Sequence, residues 1–294
     1  MFAKEKEREN NACSYENILI KSLGKGYQME IKKYTNSNRE AWNETIPIHI
    51  KNRKTNLKEK FKDKNYNTLD QYELDKLNQI NVKDLSVAQL SCNNGRELIS
   101  ILRLGAKSGI GFDISDEVIK EANELNEIAK ENCKFIQSDV YDIGEEYYNS
   151  FDLVYLTAGT LVWLPDLKKF FGIIAKMLKE NGKIMIYEEH PILNVFTDDD
   201  NKDPLTIEGN YFRKEHWEHN SGNDYVGNTS YDSKTFYSFS HTLSDLFNSV
   251  IHSGVIIKDF TEYSFDCTGI YPDIAEKNIL PMSYILIGNK SSNS

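Results

Sequence analysis

The chain has 294 residues, with 35 Lys and Arg against 45 Asp and Glu and a formal net charge of −10, a length that holds one large domain or two modest ones. Hydrophobic residues at 39% and aromatics at 12% supply a core and exclude a disordered acidic chain, and with only six Arg among the basic residues nucleic acid is an unlikely general partner. Cys13, Cys92, Cys133 and Cys267 form no CxxC pair, the N-terminus has charges of both signs and no apolar run, and no stretch has the length of a membrane span, so a cytoplasmic protein with free thiols is expected.

Residues 1–85 hold 17 basic and 13 acidic side chains, net +4, and residues 86–294 hold 18 and 32, net −14, which marks off an N-terminal segment. Within it, Gly24 to Gly26 lacks the rest of a phosphate-binding loop and reads as a turn. Apolar spacing predicts helices over Asn38–Ile50 and Leu69–Ile80, joined by a basic connector, Lys51–Lys64, whose charge reads as a solvated face. Trp42 and His49, seven apart on the first of these helices, share a face and are placed to close over a ligand.

From Ser86 the texture changes to short apolar runs alternating with amphipathic stretches, the pattern of repeated βα units around a mostly parallel sheet. Strands are expected at Val87–Leu90, Ser108–Phe112, Lys134–Gln137, Phe151–Leu156 and Lys183–Tyr187. Helices fall near Arg96–Leu104, Asp116–Lys130 and Leu167–Leu178, with Ser115 capping the second and Gly182 stopping the third. After Glu189 the pattern breaks until a helix at Thr242–Ser253 and two last strands, Val255–Phe260 and Tyr284–Gly288, which makes seven strands with helices on both faces.

The break, about residues 190–241, is rich in aromatics: Phe196, Tyr211, Phe212, Trp217, Tyr225, Tyr231, Phe236, Tyr237 and Phe239. Aromatic walls in a polar, turn-rich segment suit a lid over a small-molecule pocket, although many such rings serve only as anchors. His216 and His219 form HxxH without a third ligand at a familiar spacing, and Asp198–Asp203 lacks the glycine and distal glutamate of a calcium loop, so no metal is expected.

The most informative stretch is VAQLSCNNGRELISILRLGAKSGIGFDIS, a strand, a tight turn, a helix and a second strand ending in an acid. Ligands of open parallel sheets bind beyond the carboxyl ends of the strands, where this turn lies. Gly95 and the two Asn before it suit the turn, Asp113 is placed to accept hydrogen bonds from a ribose diol, and Asp139, in FIQSDVYDI, to hold an adenine amino group or order its loop. The three-glycine dinucleotide fingerprint is missing, which weighs against a dehydrogenase.

Gly95, Asp113, Asp139 and FDLVYLTAGTLVWLPD occur in the order of class I S-adenosylmethionine-dependent methyltransferases, and the chain resembles that family. It is most similar to a bacterial small-molecule-type subgroup in which the first loop carries Cys and a polar residue and the fifth strand ends in Glu-His-Pro, here Glu189, His190 and Pro191. AWNE from Ala41, VWLPDL from Val162, DYVGN from Asp224 and FYSFSHTLSDLFN from Phe236 extend the similarity from about Tyr34 to the end.

The resemblance implies a Rossmann-like α/β fold with an N-terminal helical cap (1–85) and a methyltransferase domain (86–294) carrying the lid, with S-adenosylmethionine as cofactor. It implies that Asp113 takes the ribose, Ile114, Asp139 and Val140 the adenine, and Leu90, Ser91, Cys92, Gly95, Thr157 and Ala158 the methionine part. Cys92 reads as a small loop residue, since no basic partner is in view to activate it.

The displacement needs alignment and exclusion of water more than a strong base. His190 is placed to act as a base or to orient the acceptor, Glu188 and Glu189 point to opposite sides so that at most one faces the pocket, and Trp42, His49, Trp163 and Tyr225 are expected on the acceptor side. The expected acceptor is a small molecule or peptide-like group at N, O or C. The alternatives are a noncatalytic nucleoside-binding protein and an RNA methyltransferase, the latter supported only by the basic first 85 residues.

Overall fold

A computed structural model describes residues 2–197, 201–222, 224–227 and 229–291, with side chains from Gly26 onward. Asp198 to Asp200 of the acidic cluster, and most of the N-terminal side chains, lie outside the described residues. A long helix α1 (Phe2–Asn52) is followed by α2 (Leu57–Lys60) and α3 (Gln71–Ile80). The sheet core follows as β1 (Ser86–Leu90), α4 (Arg96–Arg103), β2 (Ser108–Asp113), α5 (Asp116–Ala129), β3 (Cys133–Gln137), β4 (Phe151–Leu156), α6 (Leu167–Met177) and β5 (Leu178–Glu189). A short hairpin of β6 (Trp217–His219) and β7 (Phe236–Ser238) precedes α7 (Leu243–His252), β8 (Val255–Tyr263), α8 (Pro272–Ala275) and β9 (Ser283–Lys290).

The seven-stranded sheet runs β3-β2-β1-β4-β5-β9-β8. The first five strands are parallel, and β9 and β8 close the edge antiparallel. The order reverses beside β1, which creates the crevice where open α/β sheets bind ligands. Every expected strand forms. No helix among the described residues is long and apolar enough to cross a membrane.

Alternation along the strands sends side chains into two cores. On one face Ala88, Leu90, Val154 and Ile186 meet Phe170, Phe171 and Ile174 of α6 and Val250 of α7. On the other, Val87, Leu153, Tyr155 and Met185 meet Leu77 of α3, Leu98 and Ile101 of α4 and Leu125 of α5. Each Val, Leu, Ile, Met or Phe among them contributes about 1.5–3 kcal/mol of burial. Leu57, Phe61 and Leu69 of the N-terminal segment join the second core.

Two local expectations change. The helix α1 runs through Gly26, so no turn forms there. α6 stops at Met177, with Leu178 already extended, and Gly182 serves instead to let two backbones pass, since a Cβ on it would lie 2.9 Å from the Lys179 carbonyl.

Candidate active site

The turn after β1 holds three residues at positive φ, Ser91 at 52°, Asn93 at 47° and Gly95 at 72°, and Asn and Gly are the types that tolerate it. A Cβ on Gly95 would fall 2.3 Å from the Phe135 ring, so only glycine satisfies both the turn and the packing below it. This path brings the Asn93 N–H to Asp113 at 2.9 Å, while the second Asp113 oxygen accepts from the Ser115 N–H at 3.0 Å. Ser115 in turn caps α5 by accepting from Val118. Burial pushes the Asp113 carboxyl up, opposed by these backbone donors. Two amides carry buried atoms with no partner among the described residues, both side-chain atoms of Gln89 in β1 and the Asn94 oxygen in the turn.

A cavity of about 580 Å³ opens over the carboxyl ends of β1, β2, β4 and β5, within the size range of small-molecule sites. Of the residues singled out from sequence, Ser91, Asp113, Ile114, Asp139, Val140, Thr157, Ala158, Glu189, Trp42, Trp163 and Tyr225 are brought together on its walls. Leu90, Cys92 and Gly95 do not line the cavity; Leu90 and Cys92 are fully buried. Burial pushes the Cys92 thiol well up, so it is a small packing residue and no thiolate.

Two histidines are not brought to the cavity. His49 is buried behind Tyr225, their rings 4.6 Å apart, and its Nε2 lies 3.5 Å from Asp224. His190 lines a separate space of about 70 Å³. Its Nδ1 accepts from the Ile192 N–H at 3.1 Å, capping the turn that follows β5, and its Nε2 faces Glu262 at 3.1 Å. Burial lowers its pKa, against the pull of Glu262. His190 therefore caps the turn after β5 and does not face the main cavity, where a base or an orienting group was expected.

Glu188 and Glu189 diverge as strand alternation requires. Glu188 turns to the loop after β4, where its two oxygens accept from the N–H groups of Gly159 at 2.6 Å, Thr160 at 3.0 Å, Leu161 at 3.1 Å and Glu189 at 3.1 Å. It thereby fixes the Thr157–Leu161 segment that floors the cavity. Glu189 turns to the cavity and accepts from the Thr268 hydroxyl at 2.9 Å.

Helix α1 lines one side of the cavity with Thr35, Asn38 and Trp42. Its buried positions Ile31, Thr35, Asn38, Ala41, Thr45 and His49 repeat at helical spacing. Lys32 and the Thr35 hydroxyl donate to one Asp139 oxygen at 2.6 and 2.7 Å, and the other oxygen accepts from the Tyr141 N–H at 2.9 Å. Arg39 and Asn43 hold Asp116. Asp139 thus orders its loop and ties it to α1. Asn38 exchanges two hydrogen bonds with the Tyr237 backbone, at 2.9 and 2.7 Å, and so docks the hairpin onto α1.

Sequence reasoning missed the acidic end of the cavity. Asp70 and Glu73 form the capping box of α3 and also line the cavity. The Tyr187 hydroxyl donates to Asp70 at 2.6 Å, and the Tyr155 hydroxyl donates to Glu73. Burial pushes Glu73 up to about 7. Arg96, paired with Glu97, stands at the start of α4 on the same wall. The capping box S/T/D-x-x-E is visible at Asp70–Glu73; its second role is not.

Of the nine aromatics in the inserted segment, Tyr225 alone reaches the main cavity. Phe236 and Tyr237 are buried anchors, and His216 and His219 pack on Tyr34 and Phe236.

The methyltransferase-domain family matches residues 81–236. A tRNA U34 carboxymethyltransferase of Campylobacter fetus is 33% identical over 107 residues, 36% of this chain and 37% of the relative's length. Among solved structures, an S-adenosylmethionine-dependent methyltransferase of Mesorhizobium loti superposes with a TM-score of 0.55 at 18% identity, covering 74% of this chain and 97% of that one. A SAM-dependent methyltransferase of Methanosarcina mazei gives 0.54 at 14%, covering 76% and 99%. At those identities the likeness is one of fold.

Proposed function

The chain belongs to the methyltransferase-domain family of class I, S-adenosylmethionine-dependent enzymes, and from that premise we propose that it transfers a methyl group to a small-molecule acceptor held in the cavity described above. The observation that carries this reading is the Asp113 carboxylate, anchored by two backbone N–H groups at the switch point of the sheet and lining the cavity. It suits a ribose diol, with Ile114 and Val140 beside the base and Ser91, Asn93, Thr157 and Ala158 along the amino-acid part. Arg96 and Glu97, of opposite charge at the start of α4, suit the carboxylate and ammonium of that part. Asp139, expected to hold the adenine edge, has side-chain oxygens already engaged by Lys32, Thr35 and Tyr141, which leaves the adenine to its neighbours.

When bound, the cofactor supplies a methyl carbon on a positively charged sulfur. The chain's own part is to hold acceptor and donor in line and to exclude water. Trp42 and Trp163, edge to face at 5.4 Å, and Tyr225, 6.3 Å from Trp42, wall the cavity with apolar surface, and α1 covers the cofactor side.

A second reading, an RNA acceptor, is favoured by the relatives named tRNA U34 carboxymethyltransferases. The matched stretch spans 37% of the Campylobacter fetus protein's length. Against it, four of the 17 basic residues of the first 85, Lys32, Arg39, Arg53 and Lys58, are paired with Asp139, Asp116, Glu121 and Glu124 of this same chain.

Calorimetry with S-adenosylmethionine and S-adenosylhomocysteine tests the donor: both are expected to bind at one site, and binding of neither removes the methyltransferase reading. Label transfer from the methyl-labelled donor to bulk tRNA would replace the small-molecule acceptor with RNA.

A further inference from the structure

We infer that Tyr225 closes the cavity over the amino-acid part of the cofactor, and that Asp224 is the positioning residue that holds it there. This rests on the methyltransferase reading of the same cavity. The Asp224 side chain is wholly buried, and it stays out of the cavity itself. One of its oxygens accepts from the N–H groups of Val226 at 3.2 Å and Gly227 at 2.9 Å. The other accepts from the Thr229 N–H at 3.1 Å and from the Asn52 amide at 2.7 Å. Asn52 donates to the Thr229 hydroxyl as well, at 2.9 Å, and His49 Nε2 lies 3.5 Å from Asp224. The backbone donors fold the loop around the carboxylate, while Asn52 and His49 belong to the end of α1 and tie the loop to that helix. A Cβ on Gly227 would lie 2.3 Å from the Asn52 amide nitrogen and 2.7 Å from its Cβ, so glycine is required for so close an approach. A buried carboxylate is costly unless its hydrogen bonds are made in full, and here every bond serves this one loop.

What the clamp presents is Tyr225. Its ring packs on His49 at 4.6 Å and on Trp42 at 6.3 Å, both from α1. Its hydroxyl meets the Asn93 side chain, in the neighbourhood of Arg96. Asn93 belongs to the turn after β1 and Arg96 opens α4, the residues that suit the amino-acid part of the cofactor. Tyr225 therefore reaches from α1 to that turn. It is nevertheless 51% exposed and lines the cavity. A ring packed along one side and held at its hydroxyl owes that exposure to the open cavity, and a ligand lying over the turn covers it.

The sheet order separates this contact from the acceptor. The rest of the cavity, walled by Glu189 of β5 and by Phe265, Thr268 and Ile270 after β8, lies further along the sheet from β1. A ring fixed in place before the cofactor arrives lowers the ordering cost of binding, and one that covers the amino-acid part slows its release. Loss of the Asp224 clamp therefore acts as loss of the ring does, although Asp224 itself meets no ligand.

The test uses the full chain and two ligands, S-adenosylhomocysteine and 5′-methylthioadenosine, which keeps the adenosine and the sulfur and lacks the amino-acid part. Binding is followed by calorimetry and release by stopped-flow tryptophan fluorescence. Tyr225→Ala is expected to weaken S-adenosylhomocysteine by about 10-fold and to quicken its release by a similar factor, with 5′-methylthioadenosine within about twofold of the parent. Tyr225→Phe keeps the ring and should hold S-adenosylhomocysteine within about threefold. Asp224→Asn should give the split of Tyr225→Ala with the tyrosine still present, because an amide nitrogen must then face two of the donors. Asn52→Ala, which removes the tie to α1, should give a milder form of it and decides the matter where Asp224→Asn does not fold. Equal loss of both ligands, or unchanged S-adenosylhomocysteine affinity, in Tyr225→Ala overturns the assignment of the ring. A split in Tyr225→Ala that neither Asp224→Asn nor Asn52→Ala shares overturns the role of Asp224. Failure of S-adenosylhomocysteine to bind the parent overturns the reading beneath both.

Discussion

Asp113 takes one N–H from the turn before it and one from Ser115, the cap of the helix after it, so its remaining lone pairs are aimed by backbone that is itself anchored. Charge-assisted bonds of this kind contribute about 1.5–3 kcal/mol each. Asp113→Ala is therefore expected to lower S-adenosylmethionine affinity on the order of 100-fold in calorimetry, and Asp113→Asn by less, with far-ultraviolet circular dichroism unchanged. Equal affinity in all three proteins would refute the ribose role. Asp113 was legible because a strand-end acid after a turn and a helix is a local pattern. Glu73 was not, because its partner Tyr155 is 82 residues away and its apparent purpose was to start a helix. His190 misled for the converse reason: a histidine after a parallel strand is placed at the right edge of the sheet by periodicity, but the Pro191 that follows turns the chain and the ring becomes a cap.

At the scale of elements, β4 and β5 are joined at their carboxyl ends by one side chain. Glu188 gathers four backbone N–H groups, three of them from the loop after β4. In Glu188→Gln the amide nitrogen must face two of those donors. The expected result is a melting temperature lower by about 5 °C and S-adenosylmethionine affinity weaker by about 10-fold. Burial raises Glu188 from its ordinary 4.5 to about 7. With a raised folded-state pKa, its contribution to stability is complete below 4.5 and is lost as the pH rises through about 7. Urea denaturation at about pH 5 and about pH 8 should show that loss in the parent and a smaller one in Glu188→Gln; an identical slope in both would assign it elsewhere.

The large elements were readable because apolar runs of strand length and helical repeats survive any tertiary context. The hairpin of β6 and β7 was not, since three-residue strands leave too short a pattern and are held by Asn38, 199 residues from Tyr237.

For the molecule as a whole, the uneven charge resolves into a contact. The basic N-terminal segment meets the acidic remainder through Lys32 with Asp139 and Asp142, Arg39 with Asp116, Arg53 with Glu121 and Lys58 with Glu124. Each exposed pair is worth little alone, but all share one sign of complementarity. Salt near 1 M, where the Debye length falls to about 3 Å, should loosen α1. Amide hydrogen exchange over residues 31–52 is expected to quicken about 10-fold while β4 is unmoved; protection independent of salt would mean that Ile31, Ala41 and Ile46 hold the helix by burial alone.

The capping box of α3 gives the protein a constraint on its own history. Asp70 and Glu73 begin a helix that carries Leu77 into the core, and the same two side chains form the cavity wall. A substitution there that admits a new acceptor also removes a helix start, at about 1 kcal/mol or more. Thr268 sits in a loop and bears no such double duty. A lineage drifting toward a different acceptor would change that loop position early and leave Asp70 and Glu73 until last, so divergent descendants should keep Asp70 and Glu73 while position 268 varies.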